Sequence, residues 1–118
     1  MSKENTGLVR IYKAFLNSAR GFKLAFKHEA AFRQELLLML IMCPVIFIVE
    51  VSTIEKLIMG MSLIIVLIVE LLNSGIEAAI DRIGPEFHEL SGRAKDVASA
   101  AVFLSLAQVV IVWAVILW

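Results

Sequence analysis

The sequence predicts an all-α membrane protein in which an N-terminal amphipathic surface helix is followed by three transmembrane helices. Its 118 residues are 60% hydrophobic, whereas soluble domains contain roughly 45–50% apolar residues. Three long apolar segments are separated by short polar connections. The length suits one domain, and most of that domain is expected to lie in lipid. Eleven basic and eleven acidic residues cancel, so the net charge indicates no polyanionic partner.

The surface helix is predicted over residues about 8–28. Its apolar side chains point in one direction on a helix, and they are Leu8, Ile11, Tyr12, Phe15, Ala19, Phe22 and Phe26. The cations on the flank of that face are Arg10, Lys13, Arg20 and Lys27. This pattern is typical of a helix that lies in the membrane interface. Because the segment has no uninterrupted apolar core, we do not expect a signal peptide.

The first and third spans are predicted over about 30–51 and 91–118. The uninterrupted apolar core of the first, Leu36 to Val49, has 14 residues and is short for a bilayer, and Pro44 can kink it. The third span is the clearest, because the 22 residues from Val97 to Trp118 carry no charge. The single Cys43 excludes an intramolecular disulfide.

The second span is predicted over 53–83. Ser52 and Glu55 form the pattern of a capping box, which marks a helix start. Gly84 and Pro85 mark its end. A helix of about 31 residues is about 46 Å long and exceeds a hydrocarbon core of about 30 Å. One end of this helix should therefore protrude from the bilayer.

The distribution of cations predicts which side of the membrane each connection faces. Seven cations precede Leu36, three lie in the 81–96 connection, and only Lys56 lies in the 50–56 connection. By the positive-inside rule, the N-terminus and the 81–96 connection are cytoplasmic. The C-terminus then faces outward.

A stripe of polar side chains runs along the second span. Its members fall within about 100° of arc on a helix, and they are Glu70, Asn73, Ser74, Glu77 and Asp81. Carboxylates in such an apolar segment are costly and mark functional sites. Glu70 is expected near the cytoplasmic limit of the hydrocarbon, and Glu77 about 10 Å further, at the level of water. The stripe suits chemistry between a soluble reagent and a membrane lipid, with a hard cation held by oxygen ligands.

Simpler interpretations compete at several positions. Glu70 could pair with a cation or with a neighbouring helix, although Asn73 and Glu77 on its face favour a functional site. His88 taken alone fits a surface histidine, and Lys95 could extend toward water or bind phosphate. Neither a phosphate-binding glycine loop nor a serine-hydrolase or zinc-protease motif occurs. Rival functions are a small cation-coupled transporter and a non-enzymatic membrane subunit.

Three blocks of sequence resemble the small integral-membrane prokaryotic diacylglycerol kinases. They are EAAFRQE at 29–35, VELLNSGIE at 69–77 and AIDRIGPEFHELSGRAKD at 79–96, and the likeness extends from about Gly7 to Trp118. The resemblance implies a homotrimer in the bacterial inner membrane with active sites shared between protomers. It also implies phosphorylation of diacylglycerol to phosphatidic acid by Mg²⁺ and ATP. An undecaprenol kinase of the same family is the alternative, and the wording of the 79–96 block favours diacylglycerol.

The same resemblance implies roles for individual residues. Glu70 would be the general base, supported by Asn73, and Glu29 and Glu77 would hold the metal. The implied ATP-binding residues are Arg10, Asn17, Glu29, Glu77, Glu86, Phe87, His88, Lys95 and Asp96. The implied lipid-binding residues are Arg10, Ala31, Phe32, Arg33, Gln34, Glu35, Glu70, Ser99 and Trp113. Asn17 departs from the family pattern, where an aromatic residue is expected.

Overall fold

A computed structural model describes residues 6–86 and 88–118 and contains four α-helices in that part of the chain. Phe87, predicted to bind ATP, lies outside the described residues. The helices are α1 (Gly7–His28), α2 (Ala30–Ile48), α3 (Thr53–Ile83) and α4 (Glu89–Leu117). By length and composition, α2, α3 and α4 can each cross a membrane. The predicted all-helical architecture is therefore confirmed, and three of its helices are long and apolar enough to span a membrane.

The junction between α1 and α2 is a single extended residue held by an arginine. Glu29 has φ −115° and ψ 107°, which breaks the helical path between His28 and Ala30. The Arg33 guanidinium reaches back and donates from Nη1 to the carbonyl oxygens of Phe26 at 2.7 Å and Lys27 at 3.2 Å. These are among the last carbonyls of α1, which lack partners within the helix. Arg33 thus fixes the direction in which α2 leaves α1.

The turn between α2 and α3 follows from local capping chemistry. The predicted capping box is present, since Ser52 Oγ accepts from Glu55 N at 3.1 Å and Glu55 Oε1 accepts from Ser52 N at 3.0 Å. An N-cap residue has an extended backbone, and Ser52 has φ −65° and ψ 160°. The chain must therefore leave the helical conformation before Ser52. Accordingly α2 ends at Ile48, earlier than the predicted end at residue 51.

The apolar core lies mainly between α3 and α4. Met59, Leu63 and Val66 of α3 pack with Val109 and Trp113 of α4. Ile46 of α2 completes this buried cluster. Most other large apolar side chains on α2, α3 and α4 are exposed in the single chain, including Phe47, Phe103 and Ile111.

A polar network joins α3 to α4 inside this core. Gln108 donates from Nε2 to the carbonyl oxygens of Ser62 at 2.8 Å and Ser105 at 2.7 Å. Trp113 donates from Nε1 to Ser62 Oγ at 3.1 Å, and that hydroxyl donates to the Met59 carbonyl at 2.6 Å. Hydrogen bonds between helices in an apolar medium fix the register of the pair.

We expect Gln108→Leu to destabilise the protein by about 0.6–1.7 kcal/mol, the range measured for polar contacts between membrane helices. The substitution keeps a similar volume but removes the donor that joins α4 to the Ser62 carbonyl. The measurement is thermal unfolding in detergent micelles. Leu106→Ile, on the exposed face of α4, is the control and should leave the midpoint unchanged. Equal midpoints for both variants would show that this bond does not hold the helices together.

The connection between α3 and α4 is short and begins with a glycine in a conformation that side chains disfavour. Gly84 has φ +143°, in the region that glycine adopts readily. His88 caps the next helix, because its Nδ1 accepts from Leu90 N at 3.1 Å. This cap starts α4 at Glu89, earlier than the predicted start at residue 91.

Candidate functional site

Glu70 is a buried carboxylic acid on the predicted polar stripe of α3, with 3% of its surface exposed. The carboxyl group of Glu35 on α2 lies beside it. Glu35 Oε2 is buried and has no N–H or O–H donor among the described residues. The site therefore places two neighbouring carboxyl groups between α2 and α3.

Asn73 connects Glu70 to Glu77 along one face of α3. Its Nδ2 donates to Glu77 Oε1 at 3.3 Å, and its side chain lies next to that of Glu70. The spacing of three and four residues places the three side chains on successive turns. The Asn73 amide thus lies between a buried carboxyl group and a half-buried one.

Glu29 brings a fourth carboxylate to the same region from the α1–α2 junction. It is half-buried and lies near the Glu70 carboxyl group. We refer to Glu29, Glu35, Glu70 and Glu77 as the acidic cluster. Its members come from the junction, α2 and α3, so the kink at Glu29 and the antiparallel packing of α2 on α3 both contribute to it.

The oxygen ligands of the acidic cluster suit Mg²⁺ better than a transition metal. Within residues 6–86 and 88–118, no three His, Cys, Asp or Glu side chains converge as a ready metal site. Mg²⁺ is usually held by one or two carboxylates together with substrate phosphates and water. Glu29 and Glu77 can supply two carboxylates of this kind, and Asn73 occupies only one oxygen of Glu77. The residues fit a metal that arrives with a phosphorylated ligand.

A largely apolar cavity of about 590 Å³ opens between α1 and α3 beside the acidic cluster. Its polar lining residues are Ser18, His28, Glu29 and Ser74. Ser74 Oγ is buried and has no hydrogen-bond partner in the described part of the chain. A second groove of about 490 Å³ lies between α3 and α4 and is lined in part by Asn73 and Arg93. Asn73 thus borders this groove while bonding to the cluster.

An ion pair links the ends of α3 and α4. Lys95 Nζ lies 3.5 Å from Asp81 Oδ1, and the side chains are 49% and 72% exposed. Of the other predicted ATP-binding residues in this region, Glu86 and Asp96 are exposed, and His88 is the N-cap of α4. The sequence had placed Asp81 on the stripe without a partner. The pairing with Lys95 depends on how α4 packs along α3, and no local sequence pattern predicts that packing.

The predicted ATP-binding residues of α1 lie on its exposed surface. Arg10 is in the first turns of the helix, and Asn17 follows about two turns later. Asn17 Oδ1 accepts a hydrogen bond from Arg20 Nη1 at 3.3 Å. Both side chains therefore lie on the surface of the chain and do not contribute to its core.

The predicted lipid-binding residues are divided between buried and exposed positions. Phe32 is buried and Glu35 half-buried, whereas Ala31, Arg33, Gln34 and Ser99 are exposed. Trp113 is 8% exposed and donates to Ser62 between α3 and α4. On α4, Lys95 and Ser99 are therefore exposed, whereas Trp113 belongs to the core. The lipid-binding role of Trp113 stays a prediction.

Comparison with known proteins gives consistent matches. Residues 16–117 match the family model described as prokaryotic diacylglycerol kinase. The chain is 46% identical over 118 residues to the diacylglycerol kinase of Escherichia coli strain K12, covering all of this chain and 97% of that protein. It is 49% identical over 115 residues to the enzyme of the same name from Pseudomonas aeruginosa, covering 98% and 94%. For the Haemophilus influenzae enzyme the identity is 47% over 115 residues, covering 98% of each chain.

Proposed function

This chain belongs to the prokaryotic diacylglycerol kinase family, and on that premise we propose that it transfers the γ-phosphoryl group of ATP to diacylglycerol. The free hydroxyl oxygen of the lipid bonds to the γ-phosphorus. The bond from that phosphorus to the bridging oxygen breaks, and ADP leaves. The products are phosphatidic acid and ADP. The observation that carries the proposal is the buried Glu70 on the same face of α3 as Asn73 and Glu77, which are joined by a hydrogen bond.

Glu70 is the general base of the proposed reaction and takes the hydroxyl proton as the new bond forms. Its burial and its expected depth near the hydrocarbon boundary suit a lipid hydroxyl rather than bulk water. Asn73 lies one turn from Glu70 on the same face and donates to Glu77, so it connects the base to the phosphate side of the site. Phosphoryl transfer depends mainly on positioning and charge neutralisation, and this arrangement supplies the positioning.

Glu29 and Glu77 are the proposed metal ligands. When bound, Mg²⁺ neutralises charge on the ATP phosphates and orients them. These two carboxylates come from different elements, the α1–α2 junction and α3, so their separation depends on the kink at Glu29. Arg33 supports the site indirectly, because it fixes that kink.

The nucleotide is proposed to bind on the cytoplasmic side, around the α3–α4 connection. Lys95 supplies a positive charge for the phosphates. The other proposed nucleotide contacts are Arg10, Asn17, Glu86, Phe87, His88 and Asp96. Support comes from the exposure of Glu86, His88, Lys95 and Asp96 at one end of the helical pair, where a soluble ligand has access.

The lipid is proposed to approach from the membrane beside α2. The proposed contacts are Arg10, Ala31, Phe32, Arg33, Gln34, Glu35, Ser99 and Trp113. Residues 31–34 immediately precede Glu35, whose carboxyl group lies beside that of Glu70. The apolar cavity between α1 and α3 borders Glu29 and offers room for apolar groups near the same cluster.

The proposed setting is the bacterial inner membrane, with α1 on its cytoplasmic surface and a homotrimer as the active form. The cation distribution supports a cytoplasmic N-terminus and a periplasmic C-terminus. Exposed apolar residues such as Phe15 and Phe22 on α1 support its contact with lipid. Exposed apolar faces on α2 and α4 leave surface for lipid or neighbouring copies.

The test is an assay of the purified protein in mixed micelles with ATP, Mg²⁺ and diacylglycerol, in which ³¹P NMR detects the product. We expect phosphatidic acid to form and ADP to accumulate only when the lipid is present. Undecaprenol added as a competitor should be a poor acceptor. Preferential phosphorylation of undecaprenol would change the proposed substrate. Ion movement without lipid phosphorylation in reconstituted vesicles would favour a transporter.

A further inference from the structure

We propose that Asp81 is a positioning residue that holds the Lys95 ammonium group toward the ATP phosphates. The inference rests on the proposed function, since it assumes that Lys95 contacts the nucleotide. It assigns a role to an acidic residue that neither binds the metal nor touches the lipid in the proposed reaction. Asp81 acts through Lys95 alone.

The ion pair joins two helices that could otherwise separate at this end. Asp81 lies in the last turn of α3 and Lys95 in the second turn of α4, on either side of the α3–α4 connection. Their side chains meet at 3.5 Å between Lys95 Nζ and Asp81 Oδ1. This is the ion pair that spans the connection within residues 6–86 and 88–118.

The register of α3 places this pair beside the proposed metal ligands. Asp81 follows Glu77 by four residues, which is one turn on the same face and about 6 Å along the axis. The Lys95 ammonium is therefore held within about one turn of a carboxylate proposed to bind Mg²⁺. This position is within reach of phosphates whose metal is held by Glu77.

The chemistry of the ammonium group allows it to bind both partners. A lysine ammonium has three N–H donors, and Asp81 accepts from one of them. The remaining donors are available to phosphate oxygens. Lysine has a flexible side chain, and ordering it has an entropic cost. Because the Asp81 carboxylate already restricts the Lys95 side chain, less conformational entropy is lost when ATP binds. An exposed ion pair contributes little to folding, so its loss should leave the fold intact.

The first test is Asp81→Asn in the full-length protein, assayed for lipid phosphorylation. We expect the KM for ATP to rise about two- to fivefold, the size of one exposed ion pair, while kcat, the KM for diacylglycerol and Tm stay unchanged. Asp81→Glu, which keeps the carboxylate, should recover most of the ATP affinity. Glu50→Gln is the matched control, because it removes an exposed carboxylate from the α2–α3 connection at the other end of α3.

A double-mutant cycle with Lys95→Met then separates the proposed route from direct action. If Asp81 acts only through Lys95, adding Asp81→Asn to Lys95→Met changes the KM for ATP no further. Additive effects would overturn the proposal and indicate that Asp81 contacts the metal or nucleotide itself. A lower KM in Asp81→Asn would also overturn it, since the pair would then compete with ATP. A wild-type protein without lipid kinase activity would refute the proposed function instead.

Discussion

Glu70→Gln is expected to reduce lipid phosphorylation by about 10²–10⁴-fold, the usual contribution of a general base. Glutamine keeps the shape and hydrogen-bonding capacity of the side chain but cannot accept the hydroxyl proton. Nucleotide binding should remain close to that of the wild type, because Glu77 and Lys95 are unchanged. The measurements are the initial rate of phosphatidic acid formation and the affinity for a fluorescent ATP analogue.

The stability of the Glu70→Gln variant provides an internal control. The new amide can donate to Glu35 Oε2, which has no donor in the described part of the chain. Burial of a neutral amide also avoids the desolvation cost of a charge. We therefore expect a Tm equal to or above that of the wild type, so that lost activity cannot be attributed to unfolding. Substantial residual activity would exclude Glu70 as the base, and a parallel loss of ATP binding would move it to the metal site.

The course of α3 could be predicted from the sequence because its determinants are local. The start depends on Ser52 and Glu55, which are neighbours on the first turn, and the end depends on Gly84. The stripe follows from helical geometry alone. The bond between Asn73 and Glu77 at four-residue spacing is the kind of contact that such geometry implies.

Contacts between helices required the tertiary structure. The proximity of Glu35 to Glu70 depends on how far α2 is shifted along α3, and no repeat or motif encodes that shift. The same holds for Trp113, whose burial depends on its packing and its hydrogen bond with Ser62 of α3. Helix ends were displaced where a cap was not recognised, as at His88. Helical geometry thus predicts which residues share a face of α3, whereas the contacts between helices depend on the tertiary structure.

Glu77→Gln is expected to raise the Mg²⁺ concentration for half-maximal activity by about 10–100-fold, since even residues that only orient metal ligands have effects of this size. The amide removes a negative charge at the level of water but keeps an oxygen that can accept from Asn73 Nδ2. The fold and the position of Glu70 should therefore be preserved. The measurement is a Mg²⁺ titration of phosphatidic acid formation at fixed ATP concentration.

The Mg²⁺ dependence of the activity distinguishes a metal ligand from a general base, whereas a lower rate alone does not. Saturating Mg²⁺ should recover part of the activity of Glu77→Gln, because Glu29 and the ATP phosphates remain as ligands, whereas no Mg²⁺ concentration should recover Glu70→Gln. Glu50→Gln, exposed in the α2–α3 connection, should titrate like the wild type. An unchanged Mg²⁺ dependence in Glu77→Gln would remove this residue from the metal site and leave Glu77 as a partner that orients Asn73.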